Sequence, residues 1–255
     1  AEEKPADFVC PFREESVAML QWAVENGGGW KSAYLLARLY SHLGLGEKAV
    51  AIMAGTECDY APFYAMRYDL TGSKNDIEKA VSLDPGQWRY LDRLAKHYMN
   101  EGDIAAAVAC LEPYCRKHRE NFRIHDTYLQ ALVKSGKYVE AERILERITI
   151  LPFEGQSGSH VMYRDVKLHL AASSIDSGKV SAALKKIDEA RLWPHNLGVG
   201  KPYDYMIDST LEDWMTAVAY SRMGRTDKAE EYLGRIKDGD GSWREYFRKA
   251  SSKET

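Results

Sequence analysis

The sequence predicts an all-α chain built as a stack of about six helical hairpins, and three observations support this. Five times a glycine is followed, five residues later, by an alanine: Gly44/Ala49, Gly102/Ala107, Gly136/Ala141, Gly178/Ala183 and Gly224/Ala229. Each pair sits between two amphipathic stretches, so each marks the turn and the close contact of a hairpin. Eight prolines and the scarcity of runs rich in Val, Ile and Thr weaken any β reading. At 255 residues the chain is long for one compact core but ordinary for an array whose units bury their faces against one another.

Taken in order, Glu14 to Glu25 reads as one helix with Val17, Leu20 and Val24 on a single face, stopped by Asn26-Gly27-Gly28-Gly29. It has no hairpin partner of its own, so it is expected to cap the first repeat or to pack on an absent neighbour. Trp88 to Tyr98 shows the repeat in full: Leu91, Leu94, Ala95 and Tyr98 recur at steps of three and four. Gly102 then suits a left-handed helix end, and Asp103 suits the start of the next helix, which carries Ala107, Val108, Leu111 and Tyr114. Ala107 is small, so the two helices can approach at its level. At the far end Gly239-Asp240-Gly241-Ser242 reads as a loop. Trp243, Tyr246 and Phe247 read as a short closing helix, and Ser251 to Thr255 as a loose tail. The expected division is therefore 1–29 as an N-terminal segment and cap, 30–238 as repeats, and 239–255 as a C-terminal cap and tail.

These residues resemble the tetratricopeptide repeat. Its first-helix pattern falls on Leu91, Leu94, Ala95, Tyr98 and Gly102, and its small second-helix residue on Ala107; Leu36, Ala37, Tyr40, Gly44 and Ala49 fill the same slots earlier. The 34-residue step from Gly102 to Gly136 is this family's period. The resemblance implies a right-handed α-α superhelix. Around Gly72 the step from Gly44 shortens to 28 and Ile77 stands in the alanine slot, so that unit is expected to be distorted or tilted.

The step also lengthens, to 42 residues between Gly136 and Gly178 and to 46 between Gly178 and Gly224. Both excesses fall between the second helix of one hairpin and the first of the next, giving insertions at 151–161 and 194–208. Such connections share one edge of a stack whose units are roughly 10 Å apart, so the two loops are expected to be neighbours forming one composite surface. The candidate binding residues there are Phe153, Glu154, Gly155, Gly158, His195, Asn196, Gly198, Gly200, Lys201, Tyr203 and Asp204.

The loop segments Pro152-Phe153-Glu154-Gly155 and Asn196-Leu197-Gly198-Val199-Gly200-Lys201-Pro202, with Phe8 to Arg13 and Asp59 to Tyr64, are similar to the C-terminal helical region of the DUF5107 family. The similarity would span about Phe8 to Asp208. That family carries a β-rich, mutarotase-like domain before its helical repeats, so the resemblance implies an accessory role in a carbohydrate-related protein. Where the family has a tryptophan and two adjacent glycines after Pro152, this chain has Phe153 and a single Gly155.

Chemical constellations are thin. Gly198-Val199-Gly200-Lys201 lacks the spacing and the preceding strand of a phosphate loop. His118, His125, His160, His169 and His195 lack a helical metal spacing, so solvated or core-edge roles are expected and no metal or cofactor is assigned. Glu154 and Asp204 could face each other across the loops, but capping or salt-bridging is the plainer use. No Ser or Cys stands in a nucleophile motif. Cys10, Cys58, Cys110 and Cys115 show neither metal nor disulfide spacing and read as free thiols. A net charge of −3 with pI near 6.2 argues against nucleic acid, and no apolar run reaches the ~20 residues of a membrane helix. The absence of a visible signal peptide favours the cytoplasm, and the start at Ala1 reads as a processed protein or a fragment.

A second candidate surface follows from the tetratricopeptide resemblance, which maps groove-lining positions to Tyr34, Arg38 and Ser41, to Arg89, Asp92, Arg93 and Lys96, and to Arg123, Asp126 and Gln130. These could hold an extended peptide by charge-assisted bonds, or simply pair with each other along helix faces, as Asp92 and Lys96 are spaced to do. The leading expectation is a non-catalytic interaction scaffold whose loop edge docks a protein, a peptide or a neighbouring domain of the same protein. A small ligand at the paired loops is the alternative. Self-association through uncapped terminal helices is also allowed.

Overall fold

In the computed structural model, residues 6–8, 11–152, 154 and 157–236 are described. They form thirteen α-helices and three short 3₁₀ turns, with no strand among them. The chain divides into two compact units, Ala1–Tyr114 and Cys115–Thr255. The expected closing helix beyond Ser242 lies outside the described residues.

In the first unit α1 (Ser16–Glu25) is followed by the hairpins α2 (Trp30–His42) with α3 (Gly46–Met53) and α4 (Ala61–Thr71) with α5 (Lys74–Leu83). Then comes α6 (Trp88–Asn100) and the start of α7 (Ile104–Lys117). Its core is Leu36, Leu39, Met53, Phe63, Tyr64 and Ile77, all at most 1 % exposed. Helix α1 does have a partner: it packs on α2 through Leu20, with Val17 and Val24 beside the same core, and Gln21 donates to the Tyr40 hydroxyl at 2.6 Å. It caps the first hairpin on that face. Its opposite face leaves Met19 and Trp22 exposed.

The second unit holds α8 (Phe122–Lys134) with α9 (Tyr138–Leu145), α10 (Gly158–Asp176) with α11 (Val180–Ala190), and α12 (Thr210–Arg222) with α13 (Thr226–Leu233). Leu168, Ala171, Ala183, Ile187, Met215 and Ala219 form one apolar cluster in it, and α10 touches both α8 and α12.

The hairpin turns share one set of hydrogen bonds. Gly44, Gly102, Gly136, Gly178 and Gly224 all have φ between +73° and +82°, a region that costs other residues about 1–2 kcal/mol. In each, the glycine N–H bonds three residues back and the following N–H reaches five residues back, as in Gly44 to Ser41 at 3.1 Å and Leu45 to Tyr40 at 2.8 Å. The carbonyl of that following residue then accepts the N–H of the paired alanine: Leu45 from Ala49, Asp103 from Ala107, Lys137 from Ala141, Lys179 from Ala183, Arg225 from Ala229. One residue thus closes the first helix and opens the second, which is why the alanine stands five places after the glycine. All five alanines are buried, at 0–3 % exposure. Asp103 adds a side-chain cap, accepting from Ala106 N–H at 3.0 Å.

The turn at Gly72 differs, as its short step suggests. Gly72 also has positive φ, but its N–H bonds four residues back to Tyr68, and Ser73 N–H goes to the Thr71 hydroxyl. Ile77 fills the alanine slot, fully buried. Arg67 holds this hairpin together: its Nε and Nη2 bond the buried Asp76 of α5 at 2.9 and 2.6 Å, while Nη1 reaches the Met53 and Thr56 carbonyls at the end of α3.

An ionic network joins α9, α10 and α11. The ammonium of Lys167, whose side chain is 3 % exposed, bonds Glu142 at 2.5 Å, Glu189 at 2.7 Å and Glu146 at 3.3 Å; Lys186 adds bonds to Glu142 and Glu189. Burial opposes the charge on Lys167, but its bonds to Glu142 and Glu189 outweigh that and raise its pKa. Burial likewise works against the two glutamates, yet Lys167 and Lys186 hold both below the usual carboxylate range.

Two predictions follow from these features. Gly136→Ala should lower the unfolding free energy by about 1–2 kcal/mol in urea titrations, from backbone strain alone, because a methyl there meets no atom within 4 Å. Gly46→Ala, at a helix start with no positive φ, should instead be neutral or raise stability by up to ~1 kcal/mol. For the network, Lys167→Met removes the buried ammonium while Lys186 still bonds Glu142 and Glu189, and should cost about 1–3 kcal/mol. Because the glutamate pKa values are depressed, their contribution is present above about pH 4 and is lost as pH falls through the folded values. An E142Q/E189Q variant should therefore show a flatter stability profile in acid; an unchanged slope would remove this network as its source.

Candidate functional site

The first connection begins earlier than its expected bounds and ends earlier too. Helix α9 stops after Leu145, and Gly158, Ser159, His160 and Val161 belong to α10, a helix of 19 residues where α8 has 13. The sequence Ile148-Thr149-Ile150-Leu151-Pro152 accounts for the stop: three consecutive β-branched residues and a proline favour extended backbone. Ile148 and Ile150 are nevertheless buried.

The second connection, 191–209, folds back onto the first, so the two loops are neighbours. Its 3₁₀ turn His195–Leu197 places Asn196 against the C-terminal end of α9. The Asn196 amide donates to the Leu145 and Ile148 carbonyls at 2.9 and 2.8 Å, supplying the partners a longer helix would have provided. The Asn196 carbonyl accepts from Ile150 N–H at 2.8 Å, and the Leu197 carbonyl accepts from the buried Ser159 hydroxyl at 2.8 Å. Leu197 is fully buried. Gly198 has φ +68°, and a Cβ there would lie 2.5 Å from the Ile150 carbonyl oxygen, so this position needs glycine for both conformation and space.

Beside this joint lies a cleft of about 470 Å³, walled by the starts of α10 and α12, the end of α11 and the second connection. His160 stacks on Trp193 with ring centroids 3.3 Å apart and bonds the Leu192 carbonyl through Nε2. Burial pushes the His160 imidazole pKa down. Arg164 forms a two-pronged pair with the buried Glu212, through Nε to Oε1 and Nη2 to Oε2, and Arg191 pairs with Asp213 at 2.8 Å. At the rim Lys201 pairs with Asp204 at 2.7 Å. The Asp208 carboxylate is held below its usual range by Thr210, whose N–H it accepts at 2.9 Å. A second, more polar cleft of about 430 Å³ adjoins it on the Arg235 side of Met206.

The expected loop residues therefore separate into two sets. Asn196 and Gly198 serve the joint between the loops, and Gly158 opens α10. His195, Gly200, Lys201, Tyr203 and Asp204 are exposed, as is Glu154. Asp204 is 88 % exposed and bonds Lys201 rather than a second carboxylate. Phe153 and Gly155 lie outside the described residues. Sequence reasoning missed the His160–Trp193 stack, the Arg164–Glu212 pair, and the exposed Tyr205 and Met206; Trp193-Pro194 beside the insertion was the available signal.

The groove-lining set is largely engaged within its own units. Tyr34 is a core residue at 5 % exposure, packed on Tyr60 and Phe63, so it does not line an open surface. Arg93 makes a two-pronged bond to Asp69, Lys96 bonds Asp92 at 2.7 Å, and Gln130 bonds Asp126 at 2.9 Å. Arg38, Arg89 and Arg123 lie over the rings of Tyr34, Trp88 and Phe122. His125 is a core-edge residue bonded to the Asn121 carbonyl, and His169 stacks on Tyr138. Among the described residues no cluster of His, Cys, Asp or Glu is arranged to hold a metal, and Cys58, Cys110 and Cys115 are free thiols. No described helix is long and apolar enough to cross a membrane.

Comparison with known proteins agrees with the architecture. The PPR repeat family model matches residues 218–240. A structure of Naa15/Naa10 bound to HypK-THB is similar over 98 % of this chain, with TM-score 0.60 and 13 % identity; the chain spans 37 % of that one. MamA matches with TM-score 0.43 and 15 % identity over 78 % of this chain and 94 % of its own. PilF of Pseudomonas aeruginosa matches with TM-score 0.41 and 14 % identity over 92 % and 96 %. No curated protein matches the sequence. The described residues have an all-helical, tetratricopeptide-like repeat fold.

The loop joint gives a direct prediction. Asn196→Ala leaves the Leu145 and Ile148 carbonyls uncapped and should cost about 1–3 kcal/mol. Hydrogen exchange should rise at Ile150, whose N–H bonds the Asn196 carbonyl. Unchanged exchange there would mean that the two connections dock without this residue.

Proposed function

We propose that the chain is a non-catalytic interaction scaffold, and that a protein partner docks on the connection edge of its second unit. One observation carries this reading. Of the twelve large apolar side chains exposed among the described residues, Leu151, Val161, Leu192, Tyr203, Tyr205 and Met206 lie along these connections and the first turn of α10. Tyr203 and Tyr205 are 73 % and 85 % exposed and stack on each other at 5.7 Å. Leaving such a group in water is unfavourable, and aromatic and methionine side chains around a cleft are typical anchors for a partner. The loop joint holds the edge in place, so little ordering is needed on binding. The Naa15/Naa10 structure, similar in fold, is itself a complex bound to HypK-THB, in keeping with a scaffold role for this kind of fold. The resemblance to the DUF5107 helical region adds a neighbouring domain of the same polypeptide to the occupants that would satisfy this edge.

A second reading, favoured by the 470 Å³ cleft, is a small ligand stacked near Trp193. It ranks lower because the cations lining the cleft, Arg164, Arg191 and Lys201, are already paired. A thermal-shift screen of sugars and metabolites would raise it if a dose-dependent stabilisation disappeared in Lys201→Ala.

For the leading reading, affinity capture with the wild-type chain is compared with a Y203A/Y205A/M206A variant and with an R38A/R89A control. The proteins retained by wild type and control should be lost by the triple variant at unchanged melting temperature. Equal retention by all three would exclude this edge.

A further inference from the structure

Helix α1 is apolar nearly all round. Seven of its ten residues are Val17, Ala18, Met19, Leu20, Trp22, Ala23 and Val24, and Gln21 is spent on the Tyr40 hydroxyl. A helix of that composition belongs where both of its faces are covered. Here one face is covered. Leu20, Val17 and Val24 join the core beside α2, while Ala18, Met19 and Trp22 stand in water, the last two at 64 and 66 % exposure. Residues 18, 19 and 22 lie within one turn of each other and form a single stripe, which Glu15 and Asn26 continue at its two ends.

The position of α1 in the stack says what shape is missing. It packs on α2 as α3 packs on α4, α5 on α6, α9 on α10 and α11 on α12. Each of those helices also packs on the first helix of its own hairpin, α2, α4, α8 and α10 in turn. No described helix packs on α1 in that second way, so α1 stands as the second helix of a pair whose first helix is open to be supplied. Charge then selects among helices. Glu25 lies in the last turn, beside the partly negative helix end, and no basic residue shares that turn. Glu14 and Glu15 lead into the first turn, and Glu15, at the N-cap, makes no side-chain cap bond. All three are exposed. The α1 helix of a second copy does not suit them. Laid antiparallel it brings Glu25 toward Glu14 and Glu15, and laid parallel it sets like against like.

We propose that this face takes an amphipathic helix of a protein partner, antiparallel to α1, with Lys or Arg at both ends of its apolar stripe. The partner's first turn, already the positive end of its dipole, meets Glu25 and the last carbonyls of α1. Its last turn, where its own dipole favours basic residues, meets Glu14 and Glu15. Helix α1 is about 15 Å long, so about three turns of partner cover it. Trp22 is the anchor, Ala18 lets the two helices approach, and the acids set direction and association rate. This face belongs to the first unit, and its occupancy does not depend on the connection edge proposed above.

The test uses a labelled, alanine-based helical peptide with leucines at i, i+4 and i+7 and an Arg pair at each end, with a Glu-ended version as its counterpart. Binding to the full chain is followed by fluorescence anisotropy. The wild type should bind the Arg-ended peptide at low salt, more weakly as salt rises, and at least about tenfold more tightly than the Glu-ended one. M19A/W22A should lose about tenfold at unchanged melting temperature, since both side chains are exposed. E15K/E25K should lose the Arg-ended peptide and gain the Glu-ended one, a gain that misfolding cannot imitate. Equal binding of the two peptides by the wild type, no binding of either, or full binding by M19A/W22A overturns the proposal. Concentration-dependent sedimentation of the chain alone, abolished by M19A/W22A, would assign the face to a second copy and overturn it too. None of these results turns on Y203A/Y205A/M206A, so failure here leaves the connection edge standing.

Discussion

The structure depends on a single residue used twice. In five turns the residue after the left-handed glycine sends its N–H back to the helix just finished and offers its carbonyl to the helix about to begin. Both bonds are made by one peptide neighbourhood, so the angle between the two helices is fixed locally before any side chain packs. The alanine whose N–H meets that carbonyl is then forced to face the preceding helix, and only a small side chain lets the pair close. Everything else in a hairpin is burial arranged around that joint. The turn at Gly72 shows the dependence from the other side. There the bonds are distributed differently, a buried isoleucine replaces the alanine, and a buried Arg67–Asp76 pair stabilises the hairpin instead.

The second unit departs from the repeat after α9. That helix has eight residues, like α3 and α13, and the chain continues as a non-helical segment in which Ile148 and Ile150 are buried while Thr149 and Leu151 are exposed. The carbonyls left at its end are satisfied by Asn196, about fifty residues later in the chain. A side chain that looked like a ligand-binding asparagine is therefore a cap for a distant helix, and Gly198 is the space into which the first loop fits. The surface left over is what makes the edge distinctive: tyrosines and a methionine standing in solvent around a cleft whose cations are already paired.

Electrostatics divide the same way. Where charges are buried or half-buried, as at Lys167, Arg164 and Arg67, each has its counter-charge within hydrogen-bonding distance, because an unpaired ion taken out of water would cost more than the fold can spare. Cations without a carboxylate partner, such as Lys134, Lys137, Arg143 and Arg147, are exposed and solvated instead. The first group holds helices together.

Much of this was legible in the sequence. The glycine–alanine beat depends on backbone geometry within a few residues, so it reports the hairpins, their turns and the odd Gly72 unit directly. The lengthened steps likewise placed both connections, since chain that cannot fit a hairpin must leave it there. What the sequence did not determine is which loop residues remain free. Asn196, Gly198 and Tyr34 all carry the right chemistry for a site, yet their partners are Leu145, Ile150 and Phe63, contacts made across 29 to 51 residues of chain. Local pattern fixes what a residue does to its own backbone. Which polar groups and aromatic faces are spent on the fold, and which are left for something else, is decided only when distant segments meet and compete for the same hydrogen bonds and the same space.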